Sequence, residues 1–440
     1  MPALTINNSQ LGIPMKEDFK KKLKTNTIGS FRSNGDLKTI LPQDIFQSLF
    51  DPIPDNLDVR KLITIPNRNE KHYLNNAAFG RAYDDVLNLS SKLRLFAETN
   101  PDTFYDQACL PLIDNTYDVL EDFFDTDKIV LVPNCTFGLR SIMERLVREK
   151  HHRVIAQLAP IYGATQKLLE FYRTNGDVDK VLKISPGRGH SALLEEDPNV
   201  IVEALEDAFA LQEFSVLFCD QVASQTGRIL PLEPVTRFCN DNNIILVVDG
   251  TQSCQLFFGK NKKNILNVDY FVMSTHKWIS NVKTCGFVLF KDQDRPPIPP
   301  AISFGWEATK RQLATSVENV RNMFQWQGML DSYIPYITLA KALKIFSKYG
   351  EAQLITASGI LTQGISDVLH RKPLLPKSVN SRVINILELK SAQFENMKDI
   401  SSIQNAFQVD FSLSPILINF VIILGLWHQH QCEEVWSGLC

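Results

Sequence analysis

The chain has 440 residues, 44% hydrophobic and 22% charged, with a formal net charge of -3. That length and apolar content point to one large domain with a smaller one, or to two or three modules. The near-neutral balance shows no basic face, which argues against a nucleic-acid partner.

The eight cysteines are scattered. No C-x-x-C pair and no metal-type spacing occurs among them, so no metal site is expected. The first forty residues carry acids, little arginine and no apolar core of the secretory kind. Reduced thiols and a cytoplasmic setting are therefore expected. The cluster Lys20-Lys21-Lys22-Leu23-Lys24 follows Glu17 and Asp18 and reads as a solvated helix face.

Taken in order, residues 1–34 are polar and predict a loose start with one short helix. Residues 41–50 predict a brief helix with Asp44 as a cap candidate, and Pro52 and Pro54 force an extended connection. Residues 71–80 read KHYLNNAAFG. Their small residues permit close backbone approach, although an ordinary turn before a helix over 82–96 explains them as well. A strand over 128–132 leads through Pro133-Asn134-Cys135-Thr136-Phe137-Gly138 into a helix over 139–148. A strand, a polar turn and a helix N-terminus make an anion site. A plain cap at Asn134 or Thr136 is the simpler explanation in isolation.

Further strands are predicted over 153–158, 181–184 and 215–219, with helices over 199–211 and 234–242. Tyr162 lies just past the strand over 153–158. It suits stacking on a planar ring, or the role of a half-buried loop tyrosine. Two apolar, β-branched runs follow, 244–248 and 270–273. The first delivers Asp249, and the second delivers Ser274, Thr275, His276 and Lys277. The strand–helix alternation from 128 to 277 predicts a parallel α/β sheet. Ligands of such sheets bind at the carboxyl ends of strands, so a carboxylate and an amine converge there. A Schiff-base lysine opposite an aspartate that faces a pyridinium nitrogen is what pyridoxal phosphate chemistry needs.

Residues 287–290 follow a short turn at Gly286 and predict an antiparallel neighbour. The run RPPIPP over 295–300 is a rigid connector. Residues 332–349 predict an amphipathic helix. A smaller domain is then expected, with a helix over 353–369 and a strand over 383–387. Residues 411–432 carry no formal charge. Their apolar stretch, interrupted by Pro415, Asn419 and Gly425, predicts a buried strand or helix rather than a membrane span.

YLNNAAFG, PNCTFG, SQTGRILP, VVDGTQS and STHKW, in this order and spacing, resemble the class V aminotransferase family of fold type I enzymes that depend on pyridoxal phosphate (PLP). The isopenicillin N epimerase-like subgroup is the most similar, and the resemblance spans about residues 73 to 331. It implies an α/β fold, with a large domain of mostly parallel sheet flanked by helices and a smaller C-terminal α+β domain. The expected divisions are an N-terminal extension over 1–70, a PLP-binding domain over 71–305, and an interdomain segment with the small domain over 306–440.

By that resemblance, Lys277 is the lysine that holds the cofactor as a Schiff base and moves the α-proton. Asp249 pairs with the pyridine nitrogen, and Gln252 lies near the ring oxygen. Cys135, Thr136, Ser274 and His276 surround the phosphate, Tyr162 stacks on the ring, and Ser224 supplies a polar contact. Asn76 and Ala77 are expected at the substrate.

The implied activity is epimerisation, transamination or C–S cleavage of an amino acid, in a homodimer. Desulfuration through a persulfide on a late loop fits less well, because Cys432 and Cys440 are the only cysteines after Cys285. Two departures support an alternative, a non-catalytic member kept for binding or assembly. Met329 stands where the family has threonine after Gly328. Arg371 and Arg382, the only arginines after Arg321, match no carboxylate-binding motif.

Overall fold

Strands that are apolar at every position must be covered on both faces, and this chain covers them with helices. The computed structural model describes residues 34–55, 62, 77–187, 195–259, 261–300, 320–321, 323–324, 333–351, 363, 366–367, 372–381, 384–386 and 419–421. Its main sheet contains β1 (Ile129–Val132), β2 (Val154–Leu158), β3 (Lys180–Ile184), β4 (Val216–Asp220), β5 (Ile245–Asp249), β6 (Tyr270–Ser274) and β7 (Gly286–Phe290). The spatial order is β1-β7-β6-β5-β4-β2-β3. β7 runs antiparallel to both its neighbours, as expected, and the other pairs are parallel.

Alternation sorts the strand residues between two cores. Leu246, Val248, Phe271 and Met273 join one core, while Ile245, Val247, Tyr270 and Val272 join the other. The second core is capped by α5 (Cys135–Arg148) and α6 (Gly163–Thr174). The first takes α1 (Asn34–Ile40), α2 (Gln43–Phe50), α3 (Asp84–Thr99), α4 (Cys109–Phe124), α7 (Pro198–Leu211), α8 (Leu232–Asp241), α9 (Asn261–Leu266) and α10 (Ile334–Glu351). Burying such strands and helix faces supplies the main driving force, at about 25 cal/mol per Å² of apolar surface.

Several elements depart from the sequence reading, among them α1, α6 and α9, which had no counterpart in it. α5 starts at Cys135, four residues early, because the Asn134 side chain accepts a hydrogen bond from the Phe137 N–H at 2.9 Å and caps the helix there. Cys135 and Thr136 thus open the helix rather than the turn before it. α4 had no counterpart in the sequence reading: Pro111 and the polar step Asp114-Asn115-Thr116 mask its period. It is nonetheless a core helix, with the Tyr117 hydroxyl accepting from the Leu131 N–H at 3.1 Å and Thr116 Oγ1 donating to the Tyr336 carbonyl at 3.0 Å. Finally, α10 is buried nearly all round instead of amphipathic. Lys344 and Lys348 escape at the rim, where they donate to the carbonyls of Leu49 and Ile53, while Lys341 is buried.

Of the C-terminal region, β8 (Ile384–Ile386) and β9 (Asn419–Val421) pair in parallel. β9 falls inside the uncharged run, so at least that part is strand. The rest of the run, the helix expected over 353–369 apart from 363 and 366–367, and the loose start lie outside the described residues. Among the described residues no helix is long and apolar enough to cross a membrane.

Candidate active site

Parallel strands deliver their chemistry to one edge of the sheet. β4, β5 and β6 end there in Asp220, Asp249 and Ser274. The N-terminus of α5 and the residues before α6 reach the same edge. Together they line a cavity of about 450 Å³. Its wall includes Ala77, Cys135, Thr136, Tyr162, Ser224, Asp249, Gln252, Ser274, His276 and Lys277. Ten of the eleven expected site residues are thereby brought together. The eleventh, Asn76, lies outside the described residues.

Lys277 follows β6 with its Nζ 5.8 Å from the centre of the Tyr162 ring. Burial pushes the amine below the ordinary lysine range, against the opposing pull of Asp249, Cys135 and Asp220. Asp249 Oδ1 accepts from the Thr251 N–H at 2.9 Å, which fixes the carboxylate beside the turn that follows β5. The Cys135 thiol is pushed well up by burial and then by Asp249. It is therefore a protonated wall group rather than a nucleophile.

Ser274 Oγ accepts from the Cys135 N–H at 3.0 Å, so it ties β6 to the first turn of α5. His276 is pushed down to about 4, by burial first and then by Lys277 and Lys283. Its Nδ1 is buried without a hydrogen-bond partner among the described residues. Tyr162 is 45% exposed at the cavity mouth. Ser224 Oγ lies 3.4 Å from Gln225 Oε1, and Gln225 in turn donates to the Ile161 carbonyl at 3.1 Å.

Gln252 is a strut as well as a wall residue. Its Nε2 donates to the Ala77 carbonyl at 3.1 Å, and its Oε1 accepts from the buried Trp278 Nε1–H at 2.7 Å. This contact places residues 77–80 over the lysine segment. Gly80 closes that approach, since a Cβ there would collide with the backbone carbonyls of His276 and Lys277. Lys283 Nζ donates to the Gly80 carbonyl at 3.0 Å and holds the loop from its other end.

The sequence reading missed Asp220, Thr251 and Phe79 in the wall. The signal for Asp220 was present: it follows an apolar strand just as Asp249 does. Elsewhere, Glu149, His151 and His152 bring three metal-type ligand atoms within 4.8 Å of one another. Arg295 already bridges Glu149 and lies 3.0 Å from His152 Nε2, so a cation would have to displace a guanidinium.

Residues 190–393 match the family model for class V aminotransferases. Over those residues, a little under half of its length, the chain is similar to class V aminotransferases. It is 21% identical over 289 residues to the hercynylcysteine sulfoxide lyase of Schizosaccharomyces pombe, covering 64% of this chain and 70% of that protein. It is 28% identical over 167 residues to the isopenicillin N epimerase of Amycolatopsis lactamdurans, covering 36% of this chain and 40% of that one.

Among solved structures, the apo cysteine desulfurase of Thermococcus onnurineus NA1 superimposes with a TM-score of 0.55 at 17% identity, over 71% of this chain and 77% of that one. A cystine C–S lyase in complex with its product cysteine persulfide gives 0.56 at 18%, over 70% and 82%. These likenesses carry the fold. The class V match and these folds agree with the family resemblance of the five motifs and with the fold expected from it.

Proposed function

We propose that this chain is a PLP-dependent enzyme that cleaves a C–S bond in a cysteine derivative. One observation carries the reading: Asp249 ends β5 and Lys277 lies three residues past the adjacent β6 in a single cavity, where burial holds the lysine amine toward its neutral, nucleophilic form. The C–S preference over epimerisation is supported by the longer match to the sulfoxide lyase, 70% of that protein against 40% of the epimerase.

The residues fit the cofactor. The capped N-terminus of α5, with exposed Thr136 beside it, is a ready anion site for a phosphate. The unpartnered Nδ1 of His276 is a polar atom in want of a ligand. Asp249 is a carboxylate for a pyridinium nitrogen, and Tyr162 offers a ring face. When bound, PLP would supply an electron sink for a carbanion at the substrate α-carbon.

Lys277 Nζ takes the α-proton and can pass it to the sulfur group that departs from the β-carbon, a task suited to an amine tuned below the usual range. Asp249, oriented by the Thr251 N–H, holds one negative charge against the ring nitrogen. Residues 77–80, pinned by Gln252 and Lys283, wall the site over the lysine segment. A persulfide relay finds little support among the described residues, whose cysteines are all buried. The non-catalytic alternative rested on Met329, Arg371 and Arg382, all outside the described residues. A homodimer follows from the resemblance, and Phe79, 66% exposed at the cavity wall, is apolar surface for a second subunit to cover. Light scattering of the purified chain tests that.

The deciding experiment is the near-ultraviolet and visible spectrum of the full chain with PLP, beside Lys277→Ala. The wild type is expected to show the band of lysine-linked cofactor, and the variant only that of free or weakly held PLP. Cysteine S-conjugates and sulfoxides should then release a keto acid from the wild type. Turnover in Lys277→Ala should fall by about 10²–10⁴, the usual contribution of a positioned base. Absence of the band, or full turnover in the variant, would sink the proposal.

A further inference from the structure

The scheme above leaves one buried carboxyl of the cavity without a task. Asp220 ends β4, and Asp249 is its register partner on β5. It is 7% exposed and lines the same cavity. Its Oδ1 has no hydrogen-bond partner among the described residues. An ionised carboxylate with a dry, unpaired oxygen is expensive, and such groups take up a proton instead.

The surroundings point the same way. Across the ladder on β5, Asp249 repels a second negative charge. Lys277 after β6 and the Tyr162 backbone N–H before α6 favour ionisation, and Cys219 on the same strand is a protonated thiol. On the opposite side β2 ends in Leu158, followed by Ala159 and Pro160, none of them titratable. Burial and Asp249 outweigh the lysine, so the Asp220 carboxyl lies well above the usual carboxylate range.

We propose that Asp220 is a positioning residue of the cofactor pocket, a neutral carboxyl that hydrogen-bonds into the cavity and leaves Asp249 to carry the negative charge of this strand-end pair. The assignment rests on the PLP reading of the site. It makes Asp220 a hydrogen-bonding group, replaceable by a neutral amide but not by a hydrocarbon.

The test uses the full chain as wild type, Asp220→Asn and Asp220→Leu, with two readouts. The first is apoprotein melting against pH. A carboxyl whose folded pKa exceeds its unfolded value binds a proton on folding, so it costs stability increasingly as pH rises above about 4. Asp220→Asn lacks that cost. It is expected to melt a few degrees above wild type near pH 8, with the gap closing toward pH 5.

The second readout is PLP affinity by absorbance titration. Asp220→Asn should bind within about threefold of wild type, and Asp220→Leu about tenfold more weakly, the loss of one buried hydrogen bond. A melting gap independent of pH overturns the neutral carboxyl. Wild-type affinity in Asp220→Leu overturns the positioning role, as does an affinity in Asp220→Asn as poor as in the leucine variant. If Asp220→Leu does not fold, the pH-dependent gap and the affinity of Asp220→Asn decide together. A wild-type chain that takes up no PLP refutes the cofactor reading and the positioning role with it. The melting comparison then still reports separately on whether the carboxyl is neutral.

Discussion

Gln252→Ala tests how the cavity wall is held. In the folded chain this side chain joins the Ala77 carbonyl to the Trp278 indole through bonds of 3.1 and 2.7 Å. Gln252 is 5% exposed and Trp278 is fully buried. Truncation removes two hydrogen bonds, each worth about 1 kcal/mol net. It also strands the indole N–H, at about 1–3 kcal/mol for an unsatisfied buried donor. The expected loss is therefore about 3–5 kcal/mol, on the order of a thousandfold change in the folded-to-unfolded ratio. Equilibrium urea unfolding of the apoprotein measures it, alongside Trp278→Phe and the double variant. The double variant has no stranded donor, so its loss should fall short of the sum of the single losses by about 1–3 kcal/mol. A loss in Gln252→Ala below about 0.5 kcal/mol, or additivity within that margin, refutes the strut.

Two further outcomes follow from the same site and sheet. His276 is held near pKa 4 against an ordinary 6.5, so between those values the folded chain binds fewer protons than the unfolded one, and stability falls as pH drops through that window by at most about 3 kcal/mol. His276→Gln should flatten the acid limb of apoprotein stability, and an unchanged limb would remove the histidine from that account. At Gly138 a Cβ would lie 2.5 and 2.9 Å from Val272 and Val288 methyls under α5. Gly138→Ala should therefore cost about 1–3 kcal/mol by overpacking, although helix propensity alone would give about 1 kcal/mol of gain. A stabilised variant would show that the helix and sheet are not in tight contact.

The strands of the sheet were legible to within one or two residues because burial on both faces leaves continuous apolar runs. Their spatial order was not, since nothing local places β7 between β1 and β6. α5 was misjudged at its start because Asn134 caps a helix whose first turn, Cys135-Thr136-Phe137-Gly138, has the composition of a turn. α4 was invisible for a different reason. Its Asp114-Asn115-Thr116 step reads as loop, yet Asn115 and Thr116 are buried and Thr116 is bonded to the backbone of α10. Within the site, Lys277 and Asp249 stood out because each is an ionisable group delivered within a few residues of an apolar run. Asp220 obeys the same rule, but its neighbour Gln221 and the loop beyond drew attention to Ser224 instead. The second hydrogen-bonding role of Gln252 depends on Trp278 folding back beneath it, which no spacing reveals.

The reactivity of Lys277 and the charge of Asp220 are linked. Burial pushes the amine toward neutrality, while Asp249, Cys135 and Asp220 each favour its protonated form. The Cys135 thiol is held protonated and so contributes no full charge. If Asp220 were also ionised, two carboxylates at adjacent strand ends would face one lysine, and the amine would be held as an ammonium that cannot attack a carbonyl. A neutral Asp220 removes one of those charges and leaves Asp249 for the ring nitrogen. The cavity thus balances one acid against one base. Asp220→Asn, by fixing the neutral form permanently, should leave the pH dependence of cofactor attachment to Lys277 as it is in the wild type. A shift of that dependence to lower pH in Asp220→Asn would mean that Asp220 carries charge in the native pocket, and would reverse this account of how the lysine is tuned.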